Sequence, residues 1–214
     1  FSTLQGYGRS LAASLDMAVK TDIFVARARG YESAIEASLD ANAVPVAVYD
    51  RLLDTTAEFL PRTLHRYVAL RKKVLGLKDI HYYDLYTSLV PSVERSLAYE
   101  DAVSEVVGSV KPLGEAYVAV LAAGLNTDSG WTDVYPNAGK RSGAYCTAAY
   151  GEHPFVFMNY MNELDDAFTL AHEYGHAMHF HLANGAQTYI NAETSIFLAE
   201  IASTFNEEML LSHL

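Results

Sequence analysis

Residues 168–179 read Phe168-Thr169-Leu170-Ala171-His172-Glu173-Tyr174-Gly175-His176-Ala177-Met178-His179. Apolar and small residues recur around the charged ones at three- and four-residue steps, which predicts a helix over Asn162 to Leu182. Residues four apart on a helix lie one turn apart on the same face. His172 and His176 can then present two imidazole nitrogens to one ion. Glu173 is rotated by about 100° from His172, so it can reach a water beside that ion without being a ligand. This arrangement suits metal-assisted hydrolysis, in which the ion acidifies a water and a carboxylate takes its proton. Gly175 lets another element approach the helix closely.

Chance alone places an HExxH string in roughly one in fifty to one in a hundred chains of this composition. Two further features support the metal reading. Phe168, Leu170, Ala171, Ala177 and Met178 surround the motif with apolar and small residues, which predicts a buried helix whose His and Glu need partners. The second feature is Glu200. From Thr194 to Asn206 the chain reads T-S-I-F-L-A-E-I-A-S-T-F-N, and Glu200 is the only charged residue in it. A carboxylate in so apolar a stretch is costly unless paired or bound to metal. A His-His-Glu zinc site takes its third ligand in this way. One zinc per chain on His172, His176 and Glu200 is therefore expected, with Glu173 as general base. His and carboxylate donors also suit other divalent metals.

His179 is a rival third ligand. It shares the helical stripe of His172 and His176 but lies a further turn along. His181 points elsewhere. A metal-bound imidazole usually donates its other N–H to an oxygen. Glu207 and Glu193, each seven residues from Glu200, and Asp165, seven residues before His172, share the relevant faces. Glu207 is the first candidate for this role and Asp165 the second.

The rest of the chain is mostly helical in pattern. Thr21 to Leu39 and Val44 to Leu75 have helical spacing, the latter broken near Pro61. The basic cluster Arg66, Arg71, Lys72 and Lys73 reads as compensation of a helix C-terminus. Tyr99 to Asn126 is another helix pattern, kinked near Pro112-Leu113-Gly114. Asn126 to Lys140 reads as loop. Ser142 to Tyr150 and Pro154 to Tyr160 read as two strands separated by Gly151-Glu152-His153. Thr194 to Leu214 is a final helix, joined to the motif helix by a polar loop containing Gly185. The expected class is mostly α with one small β-sheet.

Composition narrows the function classes. Half of the 214 residues are hydrophobic, and Lys plus Arg number 15 against 26 Asp plus Glu, a formal charge of -11. Such a surface argues against nucleic acid and anionic membranes as partners. The longest apolar run, Ala116 to Leu125, is too short to span a bilayer. A single cysteine, Cys146, excludes an internal disulfide and fits a reducing, cytoplasmic compartment. The chain opens on Phe1-Ser2-Thr3 without an initiator methionine and is expected to be a piece of something longer.

The strings F-T-L-A-H-E-Y-G-H-A-M-H and S-I-F-L-A-E-I-A-S-T-F-N-E resemble the oligoendopeptidase F branch of the thimet oligopeptidase family of zinc metallopeptidases. Thr21-Asp22-Ile23-Phe24 through Gly30-Tyr31, His65-Arg66-Tyr67, Gly130 through Tyr135, and Lys140 through Tyr145 resemble that branch in the same order. The resemblance implies a zincin-like catalytic region, a fragment of a larger helical channel fold. Residues 1–127 would form part of the channel wall. Residues 128–214 would form the catalytic region, with the small sheet and two zinc-binding helices, the two regions making one continuous structural unit.

Short oligopeptides are the implied substrates, cleaved internally. The segment Ser142 to Tyr150 would lie beside the site as an edge strand. Gly143, Ala144 and Tyr145 would then pair with a substrate main chain. The family's substrate-holding tyrosines and histidine come from a segment that follows the one matched here. Nothing in this chain obviously replaces them; His153 and Tyr150 are no more than candidates. The alternative expectation is a catalytically incomplete zinc- or peptide-binding fragment. The oligomeric state is left open by the sequence.

Overall fold

The computed structural model describes residues 2–89 and 96–214. Two compact units divide the chain, Phe1–Ser92 and Val93–Leu214. The unit holding the candidate site also contains the helices between 99 and 125.

The first unit is helical. It contains α1 (Ser2–Gly6), α2 (Gly8–Arg29), α3 (Ala34–Asp40), α4 (Val46–Phe59) and α5 (Leu64–Val74). The single helix expected over Thr21 to Leu39 is two. Gly30, at φ 81°, takes the left-handed conformation that ends α2, and its N–H returns to Ala26 and Arg27. Ser33 then caps α3 by accepting from the Glu36 N–H at 3.2 Å. The expected break at Pro61 is a 3₁₀ turn over Leu60–Arg62. Among the described residues of this unit only Ala26 and Arg71 are buried. Arg71 ties α5 to a 3₁₀ turn at Tyr82–Tyr86 by donating to the Asp84 carbonyl at 3.0 Å and to that of Thr87.

The second unit has its own core. α6 (Tyr99–Ser109) and α7 (Glu115–Leu125) are separated by a 3₁₀ turn over Lys111–Leu113, where the kink was expected. The sheet follows: β1 (Thr132–Asp133), β2 (Tyr145–Thr147) and β3 (Phe155–Phe157), in the order β1-β3-β2. β2 and β3 form the expected antiparallel pair, with Cys146 opposite Val156. β1 lies in the stretch read as loop and runs parallel to β3. β2 is left at the edge of the sheet and packs on the helix that follows.

That helix, α8 (Leu164–Ala186), begins with a capping box between Glu163 and Asp166, and Asp165 and Asp166 complement its N-terminal dipole. Ala167, Leu170, Ala171, Tyr174, Ala177 and Met178 form its buried stripe at helical spacing. Gly185 lies inside α8 instead of in a loop; its surroundings are open, and a single glycine costs a helix only about 1 kcal/mol. The connection carries the short α9 (Tyr189–Ala192) and leads to α10 (Ile196–His213). α10 packs along α8, with Ser203 set against Gly175, and it buries Ser203, Asn206 and Leu210. Tyr174 joins the two layers, its hydroxyl 2.7 Å from Thr132 Oγ1 on β1.

Candidate metal centre

α8 and α10 bring three donor atoms together. His172 Nε2 and His176 Nε2 are 3.2 Å apart. Glu200 Oε2 lies 3.4 Å from the first and 3.5 Å from the second. Three ligands held at about 2.0–2.1 Å by one tetrahedral ion would lie about 3.3–3.4 Å from one another. The donor triangle fits that size. Among the described residues no other group of three His, Cys, Asp or Glu side chains is spaced to hold a metal ion.

The close approach of the helices has a local cause. A Cβ on Gly175 would sit 2.6 Å from the Ala202 carbonyl oxygen and 2.6 Å from Ser203 Cα. Only glycine lets α10 come this near, and Gly175 sits next to His176 in the chain. Glu200 reaches the two imidazoles from the turn of α10 just before this crossing.

Protonation fits a cation as well. His172 Nδ1 is 2.6 Å from Glu207 Oε1, so the ring donates there and leaves Nε2 free to accept. Burial is the main influence holding the His176 imidazole below its ordinary value, with Glu200 opposing and His172 adding to the shift. A neutral imidazole is the form that binds metal.

Glu173 is buried, and its Oε2 has no hydrogen-bond partner. Burial raises its pKa, His172 opposes the rise and Glu200 adds to it. An orphaned carboxylate oxygen beside three metal donors is an expensive feature that a water or a substrate proton would satisfy.

The structure places the other candidates as follows. Glu207 bonds His172, whereas Asp165 makes no hydrogen bond or ion pair among the described residues, although it lines the same cavity of about 320 Å³ as His172, Glu173 and Glu207. His179 stands outside the donor triangle and lines a separate cavity of about 490 Å³ with Glu193. His181 lies against Trp131, with ring centroids 6.0 Å apart. Ala144 lines the cavity beside Glu173, and Gly143 and Ala144 line an adjoining one of about 440 Å³. Asn159 fixes that edge by donating to the carbonyls of Arg141 and Gly143. Tyr145 stacks on Phe157 at 4.9 Å. Tyr150 donates to the Gln187 carbonyl and His153 stacks on Trp131, so both are committed away from the donor triangle.

Two features depart from the sequence reading. Glu200 is not buried by its apolar neighbours: its side chain is 47% exposed, and Phe197 and Ile201 beside it are exposed too. Ser203, which the sequence does not single out, is buried and its hydroxyl lies 2.8 Å from Glu200 Oε2. Its only sequence signal is its place one turn after Glu200.

Comparison with known proteins shows the family. The profile of peptidase family M3 matches residues 1–214. The chain belongs to peptidase family M3. As an M3 chain it is 45% identical to oligopeptidase PepF of Bacillus subtilis, over all of its own length and 32% of that protein. It is 40% identical to an oligoendopeptidase F homolog of Lactococcus lactis, over 98% of this chain and 34% of the other. It thus spans about a third of the length of these M3 relatives. Its fold matches that of PZ peptidase A, solved with an inhibitor, at a TM-score of 0.84 and 16% identity, covering all of this chain and 38% of that one.

Proposed function

We propose that this chain forms the metal centre of a zinc-dependent oligoendopeptidase that hydrolyses short peptides. The observation that carries the reading is the donor triangle of His172, His176 and Glu200 with the unpartnered Glu173 Oε2 beside it. When bound, zinc would acidify a water and polarise the scissile carbonyl. Glu173 accepts the proton of the attacking water and passes it to the leaving amine. Burial raises its pKa, which makes the carboxylate a stronger proton acceptor. Glu207 holds His172 in the tautomer that presents Nε2.

The edge strand supports a peptide substrate. Among the described residues β2 has no strand on its outer side, and the segment leading into it borders the cavity lined by Glu173. An extended peptide adding to Gly143, Ala144 and Tyr145 by main-chain bonds would be held with little demand on its sequence. A complex with a substrate analogue that makes no strand-like contact at residues 142–150 would sink this part. No described helix is long and apolar enough to cross a membrane.

One observation favours a second reading, a zinc-binding piece without full turnover. Tyr150 and His153, the two groups considered for steadying a tetrahedral intermediate, both point into other contacts. Loss of one such donor lowers rates by about a hundred- to a thousandfold. Glu173→Gln separates the readings. Zinc retained with peptide cleavage abolished supports the enzyme, and a wild-type chain with no cleavage to abolish supports the incomplete fragment.

A further inference from the structure

Among the described residues, Ser203 is the one side chain that donates a hydrogen bond to the Glu200 carboxylate; His172 Nε2 and His176 Nε2 lie 3.4 and 3.5 Å from the same oxygen. Ser203 lies one turn along α10 and is fully buried. Its Oγ is 2.8 Å from Glu200 Oε2 and 3.1 Å from the Glu200 carbonyl oxygen. We propose that Ser203 is a positioning residue for the metal centre, holding Glu200 in ligand geometry before a cation arrives. The inference rests on the metal reading above.

A serine inside a helix ordinarily bonds back to a carbonyl three or four residues earlier. Here the hydroxyl has one proton and two acceptors in reach. The carboxylate is nearer, and bonds to ionised acceptors are stronger. The oxygen that Ser203 reaches is the same Oε2 that faces His172 and His176. That atom keeps a second lone pair for a cation. Without the hydroxyl, a half-exposed glutamate on a helix surface would sample several rotamers, and binding would have to order it.

Ser203 is also fixed relative to the other two ligands. Its Cα lies 2.6 Å from where a Gly175 Cβ would be, so its backbone is set against α8 beside His176. The hydroxyl therefore references the Glu200 carboxylate to the helix that carries both histidines. The link runs through one crossing point, not through the exposed length of α10.

The test uses the protein that carries this chain. Zinc affinity is measured by chelator competition for wild type, Ser203→Ala, Glu200→Gln and the double variant, with the visible spectrum of the cobalt-loaded protein as a second readout. Ser203→Ala should weaken zinc binding about 10–100-fold and alter the cobalt spectrum. In the Glu200→Gln background it should add less than about a threefold loss, since the carboxylate it acts through is already gone. Ser203→Cys, close in size but a weak donor, should behave like Ser203→Ala, and it guards against a packing artefact. Two results would overturn the inference: Ser203→Ala binding zinc within about twofold of wild type, or an equal loss with and without Glu200. A wild type that binds no zinc would instead overturn the metal reading itself.

Discussion

His172 Nδ1 and Glu207 Oε1 are 2.6 Å apart, in a bond that crosses from α8 to α10. The helix that supplies Glu200 thus also sets the tautomer and ring orientation of a histidine on the other helix. Removing such a carboxylate typically costs about 10–100-fold in metal affinity. Glu207→Ala should therefore weaken zinc binding by that amount while leaving helical content unchanged. Chelator competition and circular dichroism check both halves. Unchanged affinity would show that the ring is oriented by packing alone.

Gly175→Ala is expected to act through distance. The new methyl would meet backbone atoms of Ala202 and Ser203 at 2.6 Å, and backbone cannot rotate away. The helices must separate by several tenths of an ångström. Overpacking of this kind destabilises by about 1–3 kcal/mol. Thermal melting of the metal-free protein should show that loss. Zinc affinity should fall too, because Glu200 is carried away from the histidines. A variant that melts and binds like wild type would contradict the crossing described here.

Two buried tyrosines predict the alkaline limit of stability. Tyr99 donates to the Leu125 carbonyl and Tyr160 to that of Leu97. Burial is the first cause pushing each up to about 12, with Tyr135 adding at Tyr99 and Asp166 at Tyr160. An unfolded tyrosine titrates near about 10. The folded state therefore holds these protons more tightly. Their contribution is complete below pH ~10 and is lost as pH rises toward about 12. Urea midpoints should fall steeply across that window, and Tyr99→Phe with Tyr160→Phe should flatten the fall. An unaltered slope in the double variant would refute the assignment.

Cys146 should be inert in the native protein. Burial first, and then Glu173, push its thiol up to about 12. Only the thiolate reacts. Iodoacetamide at pH 8 should label the folded protein at least about a hundredfold more slowly than the urea-unfolded chain. Comparable rates would mean that β2 is more open than described.

Long periodic features were legible in the sequence, and local ones were not. The apolar stripe of α8 repeats over many turns, so noise at any one residue does not hide it. The grouping of three donor side chains was legible because the two histidines share a helix and Glu200 stands alone among uncharged neighbours. The reason first given for Glu200 was wrong in part. Its neighbours Phe197 and Ile201 are exposed among the described residues, so apolar sequence did not mean burial. β1 was missed because two residues carry no alternation to detect, and its pairing with β3 is made by distant chain. Gly30 and Gly185 exchanged roles. The first ends a helix through a positive φ, and the second continues one, a distinction of backbone conformation that residue identity does not encode. Ser203 carried no signal beyond its place one turn after Glu200, because its role depends on where α10 meets α8.

The central claim is a three-ligand centre closed by Glu200. Metal content of the purified protein tests it directly, measured for wild type, Glu200→Ala and His179→Ala after identical dialysis. The expected result is one zinc per chain in wild type and in His179→Ala, and loss of zinc in Glu200→Ala. Zinc that survives Glu200→Ala but not His179→Ala would contradict the account.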